Sequence, residues 1–310
     1  MSYRLAMHRL QSLILAALLA FASTALAGNE PALTSSTSTS NEKVPLDTFD
    51  ISSTYVFASD LNHGGSFGSQ YEAENGFEYA HRILLNGPWY LHLGLAYDRF
   101  DFGNTSAPVP VHLQRGAVVI GVEYMKGADP GAFLQIRPGF YTEEHIGLSS
   151  FDCPILVGRF WELQPDKLYV LTGVYYSFLK GGYGVLPLVG VVYHATDNLE
   201  FRLVPPDPRI IYTINKQLDV FIGGEIAGGA FRTDHHDNFV GPHIAKLSGT
   251  QVDFSDYRVG GGFIFDLASN ISVTGDAGCS IERQFAFHRA GENYRTDPSP
   301  YVQLAFKASF

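Results

Sequence analysis

The last ten residues, Tyr301 to Phe310, read YVQLAFKASF. Val302, Leu304, Phe306, Ala308 and Phe310 share one face, and Gln303, Ala305, Lys307 and Ser309 share the other, because side chains on a strand alternate with period two. That rhythm recurs along the chain. Leu91, Leu93, Leu95 and Tyr97 oppose His92, Gly94, Ala96 and Asp98. Val118, Ile120, Val122 and Tyr124 oppose Ala117, Val119, Gly121 and Glu123. Ile271, Val273, Gly275 and Ala277 oppose Ser272, Thr274, Asp276 and Gly278. Outside the N-terminal leader no stretch shows helical i, i+3, i+4, i+7 periodicity. A chain of this kind is all-β.

Residues 1–27 have the form of a secretory leader. Arg4 and Arg9 give a positive start, Leu13 to Phe21 (LILAALLAF) a short apolar core, and Ala25-Leu26-Ala27 a small-x-small cleavage pattern. Cleavage is expected before Gly28, leaving a Ser/Thr-rich linker over 28–45 and one domain over 46–310. Beyond Phe21 no run approaches the ~18 apolar residues of a membrane helix, yet 45% of the chain is hydrophobic. Apolar residues dispersed in short alternating segments suit a closed barrel with a greasy outside and a wet inside. Removing the leader takes away two of 21 Lys and Arg and none of 31 Asp and Glu, so the net charge of −10 becomes −12. Nucleic acid is excluded as a partner on that ground.

Fourteen strand-like segments follow Leu46, near 48–58, 70–84, 89–102, 113–126, 132–141, 151–162, 167–178, 185–194, 199–204, 209–214, 218–232, 256–267, 271–288 and 300–310. Most reach the ~9–11 residues that a tilted strand needs to cross a bilayer. The connections alternate between short turns and longer loops, the longest over 233–255, as in outer-membrane barrels. The segments flanking Pro205-Pro206-Asp207-Pro208 are short, and the count falls to twelve if they leave the wall. The expected fold is therefore a transmembrane antiparallel up-and-down β-barrel of about fourteen strands, with twelve as the alternative.

Alternation sends seventeen ionisable residues to the inner wall as candidate pore-lining groups: Glu72, Glu74, Glu78, Arg82, Asp98, Glu123, Arg137, Glu200, Arg202, Arg209, Asp219, Glu225, Arg258, Asp266, Asp276, Glu282 and Lys307. On the lipid face each Arg or Lys would cost ~2–4 kcal/mol near the midplane. The signs are mixed, which fits a self-neutralising network or a weakly selective pore. Aromatic residues at segment ends, among them Trp89, Tyr97, Phe100, Phe102, Tyr124, Trp161, Phe231, Phe285 and Phe287, are expected in interfacial girdles. Gly223-Gly224, Gly228-Gly229 and Gly260-Gly261-Gly262 are read as sites of curvature. Cys153 and Cys279 fall on opposite sides of the barrel by strand count and are expected as small unpaired wall residues, with a disulfide, which an exported compartment permits, as the alternative.

No His-Ser pairing of the outer-membrane lipase type occurs. Thr233-Asp234-His235-His236-Asp237 is the one run of hydrolytic type, with a divalent-cation site from its two His and two carboxylates as a further reading. No catalytic residue, no cofactor and no metal are assigned.

The closing strand with its terminal Phe310 resembles the C-terminal assembly signal of bacterial outer-membrane barrels. The stretch LEFRLVPPDPRIIYTINKQLDVFIGGEIAGGAFR from Leu199, followed by SDYRVGGGFIFDL, resembles an uncharacterised family of outer-membrane β-barrels, with looser similarity to barrels that move aromatic hydrocarbons. The resemblance covers about residues 184–310. It implies residence in the bacterial outer membrane, amid lipid and lipopolysaccharide, and engagement of the barrel-assembly machinery. It brings no assigned substrate. The leading expectation is a passive channel or uptake route for a small solute. The alternatives are a non-conducting structural or surface-interaction barrel and, third, a rim hydrolase or protease.

Overall fold

The computed structural model describes residues 46–126, 129–237, 239 and 243–310, with no account of the side chains of 126, 129 and 130. The leader and linker lie outside the described residues. The described residues form one closed antiparallel barrel of 14 strands. These are β1 (Asp47–Asn62), β2 (Ser66–Asn86), β3 (Trp89–Phe102), β4 (His112–Lys126), β5 (Asp129–Ile136 and Gly139–Thr142), β6 (Phe151–Asp152 and Ile155–Gln164), β7 (Leu168–Tyr176), β8 (Val185–Thr196), β9 (Leu199–Leu203), β10 (Arg209–Asn215), β11 (Leu218–Arg232), β12 (Gln251–Ala268), β13 (Ile271–Phe287) and β14 (Glu292–Thr296 and Ser299–Ser309). The three interrupted strands break at Pro138, Pro154 and Pro298, where a residue without an N–H cannot continue the ladder.

Closure is made by β14 on β1, in register from Thr48 opposite Ser309 to Val56 opposite Tyr301. Phe310 completes it: its carbonyl accepts from the Leu46 N–H at 2.7 Å, and its own N–H donates to the Asp47 carbonyl at 2.8 Å. The short hairpin β9–β10 stays in the wall, paired from Leu199 opposite Tyr212 to Arg202 opposite Arg209, so fourteen rather than twelve strands close the ring. Cys153 and Cys279 are free thiols, on β6 and β13, half the circumference apart.

The outer surface carries the apolar alternation. Val302, Leu304 and Phe306 are 47%, 59% and 38% exposed, while their neighbour Tyr301 is buried. Introducing Arg at Val302 is expected to cost ~2–4 kcal/mol if that face meets lipid. Gln303→Arg, one step along and facing inward, is expected to cost far less. Refolding yields of the two variants into vesicles, read by heat-modifiable gel migration, provide the check.

The glycine stretches serve close strand approach. A Cβ on Gly278 would run into the Val259 carbonyl, and one on Gly262 into the Gly275 carbonyl.

Two irregularities change which side chains face in. In β13, Tyr257 pairs with Glu282 but Arg258 with Ser280, so Ile281 bulges and the parity of everything beyond it reverses. In β1 the register slips between Val56 and Ser59. The strands also run further than the apolar alternation suggests. β1 and β2 continue to Asn62 and from Ser66, and β12 begins at Gln251 rather than near 256.

Candidate functional site

The interior has two unlike parts. On one side, β9–β14 and β1–β5 turn ionised groups inward in paired sets. Some pairs sit directly across a ladder: Asp50 opposite Lys307, Asp98 opposite Arg115 and Glu225 opposite Arg258. Others use i and i+2 on one strand, which share a face. Arg258 Nε lies 2.5 Å from Asp256 Oδ2, Arg202 Nε 2.8 Å from Glu200 Oε1, and Arg209 pairs with Asp207 in the same spacing at 2.7 Å.

A third set reaches across the lumen. Arg258 on β12 extends to Glu74 at 2.8 Å and Glu72 at 3.2 Å, both on β2, with Glu225 at 3.6 Å. Arg283 donates to the Gln70 carbonyl at 2.7 Å and to Ser59 Oγ at 3.0 Å. Arg137 on β5 meets Glu78 on β2 at 3.0 Å. Glu123 is shared by Arg82 at 2.9 Å and His92 at 3.4 Å. The side chains of Arg258, Asp256, Glu72 and Arg283 have no solvent exposure, so the network fills its part of the lumen. Here four carboxylates, Glu72, Glu74, Glu225 and Asp256, share the two guanidiniums of Arg258 and Arg283, so Arg258 is held by several acids at once.

Of the seventeen inward residues expected from alternation, this places Glu72, Glu74, Glu78, Arg82, Asp98, Glu123, Arg137, Glu200, Arg202, Arg209, Glu225, Arg258 and Lys307 in paired sets. Asp276 accepts from Tyr301 at 3.0 Å. Asp219 and Asp266 lie at the short-turn end of β11 and β12. Glu282 is the correction. The Ile281 bulge turns it outward to Arg295 at 3.5 Å, and Arg283 takes the inward position. Asp50, His92, Arg115 and Asp256 also belong to the interior. Asp50, His92 and Arg115 follow from the same alternation; Asp256 follows from the face of Arg258.

The remaining wall, from the middle of β5 through β8, is largely apolar inside as well as out. Phe133, Leu171, Val192 and Val204 form a buried cluster with Leu156, Phe160 and Tyr169 against it, and Leu186 and Leu188 are buried above them.

The long-loop end is closed by a second apolar cluster. Phe100 and Phe102 on β3 meet rings from the opposite wall. Phe100 lies 6.0 Å from Phe231 and 5.3 Å from Phe254, and Phe102 lies 4.9 Å from both Phe254 and Phe285. Val109, Leu179 and Leu247 join from the loops over 103–111, 177–184 and 233–250. Five of these positions overturn the girdle expectation in part. Phe100, Phe102, Phe231, Phe285 and Phe287 face inward, whereas Trp89, Tyr97, Tyr124 and Trp161 stay on the outer face. At the outer end the two walls also touch through backbone. Thr142 at the end of β5 bridges Arg232 at the end of β11, and the Glu143 N–H donates to the Arg232 carbonyl at 2.9 Å.

That contact brings Glu143, Glu144 and His145 to the Asp234–Asp237 run. His145 Nδ1 lies 2.7 Å from Asp234 Oδ2, and His236 Nε2 lies 2.9 Å from Glu143 Oε2. His235 and Asp237 are solvated. The Asp234 carboxylate beside His145 raises the imidazole pKa. His288, 3.2 Å from Asp253, is raised in the same way by its hydrogen bond. A raised folded-state pKa means that the His288 contact stabilises below the ordinary imidazole value and is lost as pH rises through the raised one. Proton titration by NMR is expected to place His288 above a free imidazole, and Asp253→Asn to bring it back. An unchanged midpoint in the variant contradicts the pairing.

No family model and no curated protein matches the chain. Among solved structures the barrel is similar to an outer-membrane channel from Pseudomonas putida F1, at 8% identity and a TM-score of 0.47 over 87% of this chain and 97% of that one. It is also similar to the Pseudomonas putida toluene transporter TodX, at 9% identity and a TM-score of 0.35 over 85% and 89%. The translocator domain of the autotransporter NalP from Neisseria meningitidis matches at 7% identity and a TM-score of 0.37 over 87% and 90%.

Proposed function

We propose that this protein is a bacterial outer-membrane barrel serving as a passive uptake route for a small solute with an apolar body. The observation that carries the reading is the two-sided interior. An apolar wall of Phe133, Leu156, Phe160, Tyr169, Leu171, Val192 and Val204 faces a wall of paired charges. Such a lining suits a molecule with a greasy body and a polar end better than a bare ion or a sugar. The inward ionised residues form the polar side of this route. The leader is removed on export, lipid and lipopolysaccharide surround the wall, and the strand ending at Phe310 engages the assembly machinery. Passage requires the aromatic cluster at the long-loop end to open, and the loops that carry Leu179 and Leu247 are the parts able to open it.

The second reading, a non-conducting barrel, is favoured by that same cluster, which closes the lumen. Reconstituted vesicles separate the two. The uptake reading expects an ionised aromatic carboxylate, which crosses protein-free vesicles slowly, to enter faster than a hexose of similar size. Entry no faster than in protein-free vesicles supports the structural barrel and overturns the uptake reading. A large steady ionic current through the wild-type protein overturns both, since it requires an open aqueous pore.

A further inference from the structure

The outer clasp has the composition of a metal site. Residues 89 positions apart meet there because β5 and β11 are bridged at Thr142 and Arg232. We infer that Glu144, His145 and Asp234 bind one divalent transition-metal ion of the zinc class. Their ligand atoms all lie within 4.8 Å of one another. Donors around a tetrahedral zinc, each ~2.0–2.2 Å from the ion, stand roughly 3.5 Å apart, so small movements of exposed side chains complete the set. One imidazole with two carboxylates, and no thiolate, suits zinc, nickel or copper(II). It does not suit calcium, which takes six to eight oxygens. Three protein donors leave a position for water.

A buried carboxylate outside the triad holds its ligands in place. Glu143, its side chain only 5% exposed, accepts from the Asp234 N–H at 2.9 Å and lies 2.9 Å from His236 Nε2. The His145 N–H in turn donates to the Asp234 carboxylate at 3.2 Å. A buried carboxylate thus fixes the backbone of one ligand, and that ligand fixes the next. This is the outer-shell support that orients metal ligands before the ion arrives. An ion bound here ties the segment 143–150 to the loop 233–250 over the closed end of the lumen. The inference does not depend on the solute proposal.

The test uses the full-length, untagged barrel in detergent, titrated with zinc chloride alone and with cobalt(II) as a spectroscopic substitute. One saturable equivalent per chain is expected, with visible cobalt bands of a four- or five-coordinate site. His145→Ala and Asp234→Asn are expected to weaken zinc by about tenfold or more and to remove the bands, the low end of what ligand-support changes cause elsewhere. Glu144→Gln, on an exposed side chain, does the same with no demand on folding. His243→Ala, at an exposed rim position beside Glu292, binds as wild type. Heat-modifiable migration confirms that each variant is folded. Absence of saturable zinc binding in the wild type, or equal affinity in the Glu144 and His145 variants, overturns the site.

Discussion

Arg258→Ala is expected to destabilise the folded barrel by about 3–5 kcal/mol, the cost of leaving buried charges without their partner. Arg258 is the hub for Asp256, Glu74, Glu72 and Glu225, and its side chain is fully buried. Its loss leaves four carboxylates facing one another, with Arg283 4.0 Å from Glu72 as the nearby cation. The measurement is the urea midpoint of the heat-modifiable band in vesicles. Neutralising both sides, as in Arg258→Met with Glu72→Gln, Glu74→Gln, Glu225→Gln and Asp256→Asn, is expected to recover much of the loss, because deleting a whole buried charge set costs less than orphaning half of it. A midpoint unmoved by Arg258→Ala means that the cluster is solvated and does not hold the lumen together.

The second large effect concerns conductance. Phe254→Ala with Phe285→Ala removes two rings at the centre of the cross-lumen cluster, where Phe254 touches Phe100, Phe102 and Phe285. Each truncation of a buried Phe costs ~3–5 kcal/mol where the site cannot collapse. In a barrel held by its hydrogen-bonded wall, however, the cavity can instead admit water. The expected result in planar bilayers is a wild type with little steady current and a double variant with distinct open steps. A wild type already conducting strongly, or a folded double variant as silent as the wild type, refutes these rings as the seal. Trp161→Ala, on the outer face, is the matched control and leaves the current unchanged.

Much of this barrel is legible in the alternation of its strands, because lipid outside and ions inside impose opposite chemistry on successive residues. The limits of that reading are equally physical. β1 and β2 run on through Ser-Asp-Leu-Asn and Ser-Phe-Gly-Ser-Gln with no two-sided contrast, since that part of the wall carries no apolar band. Counting in twos sends Glu282 inward, and a single bulged residue, Ile281, reverses the count. On β8, Val185, Val189 and Val191 face out while Leu186, Leu188 and Val192 face in. With both faces apolar, no alternation marks the greasy part of the interior. Contacts between opposite walls, such as Phe100 with Phe231 or Glu143 with His236, join residues far apart in the chain. Local patterning is silent about them, and only the closed curvature of the sheet brings them together.

The bridge between the ends of β5 and β11 divides the staves into two groups. β11–β14 with β1–β5 form one group, fastened together at the long-loop end, and β6–β10 form the other, which reaches that end through Leu179 of the loop 177–184. The shortest hairpin, β9–β10, could be lengthened, or lost with its neighbours rejoined, while the fastened part kept its circumference. Natural variation in stave number among relatives of this chain would then be concentrated at that hairpin.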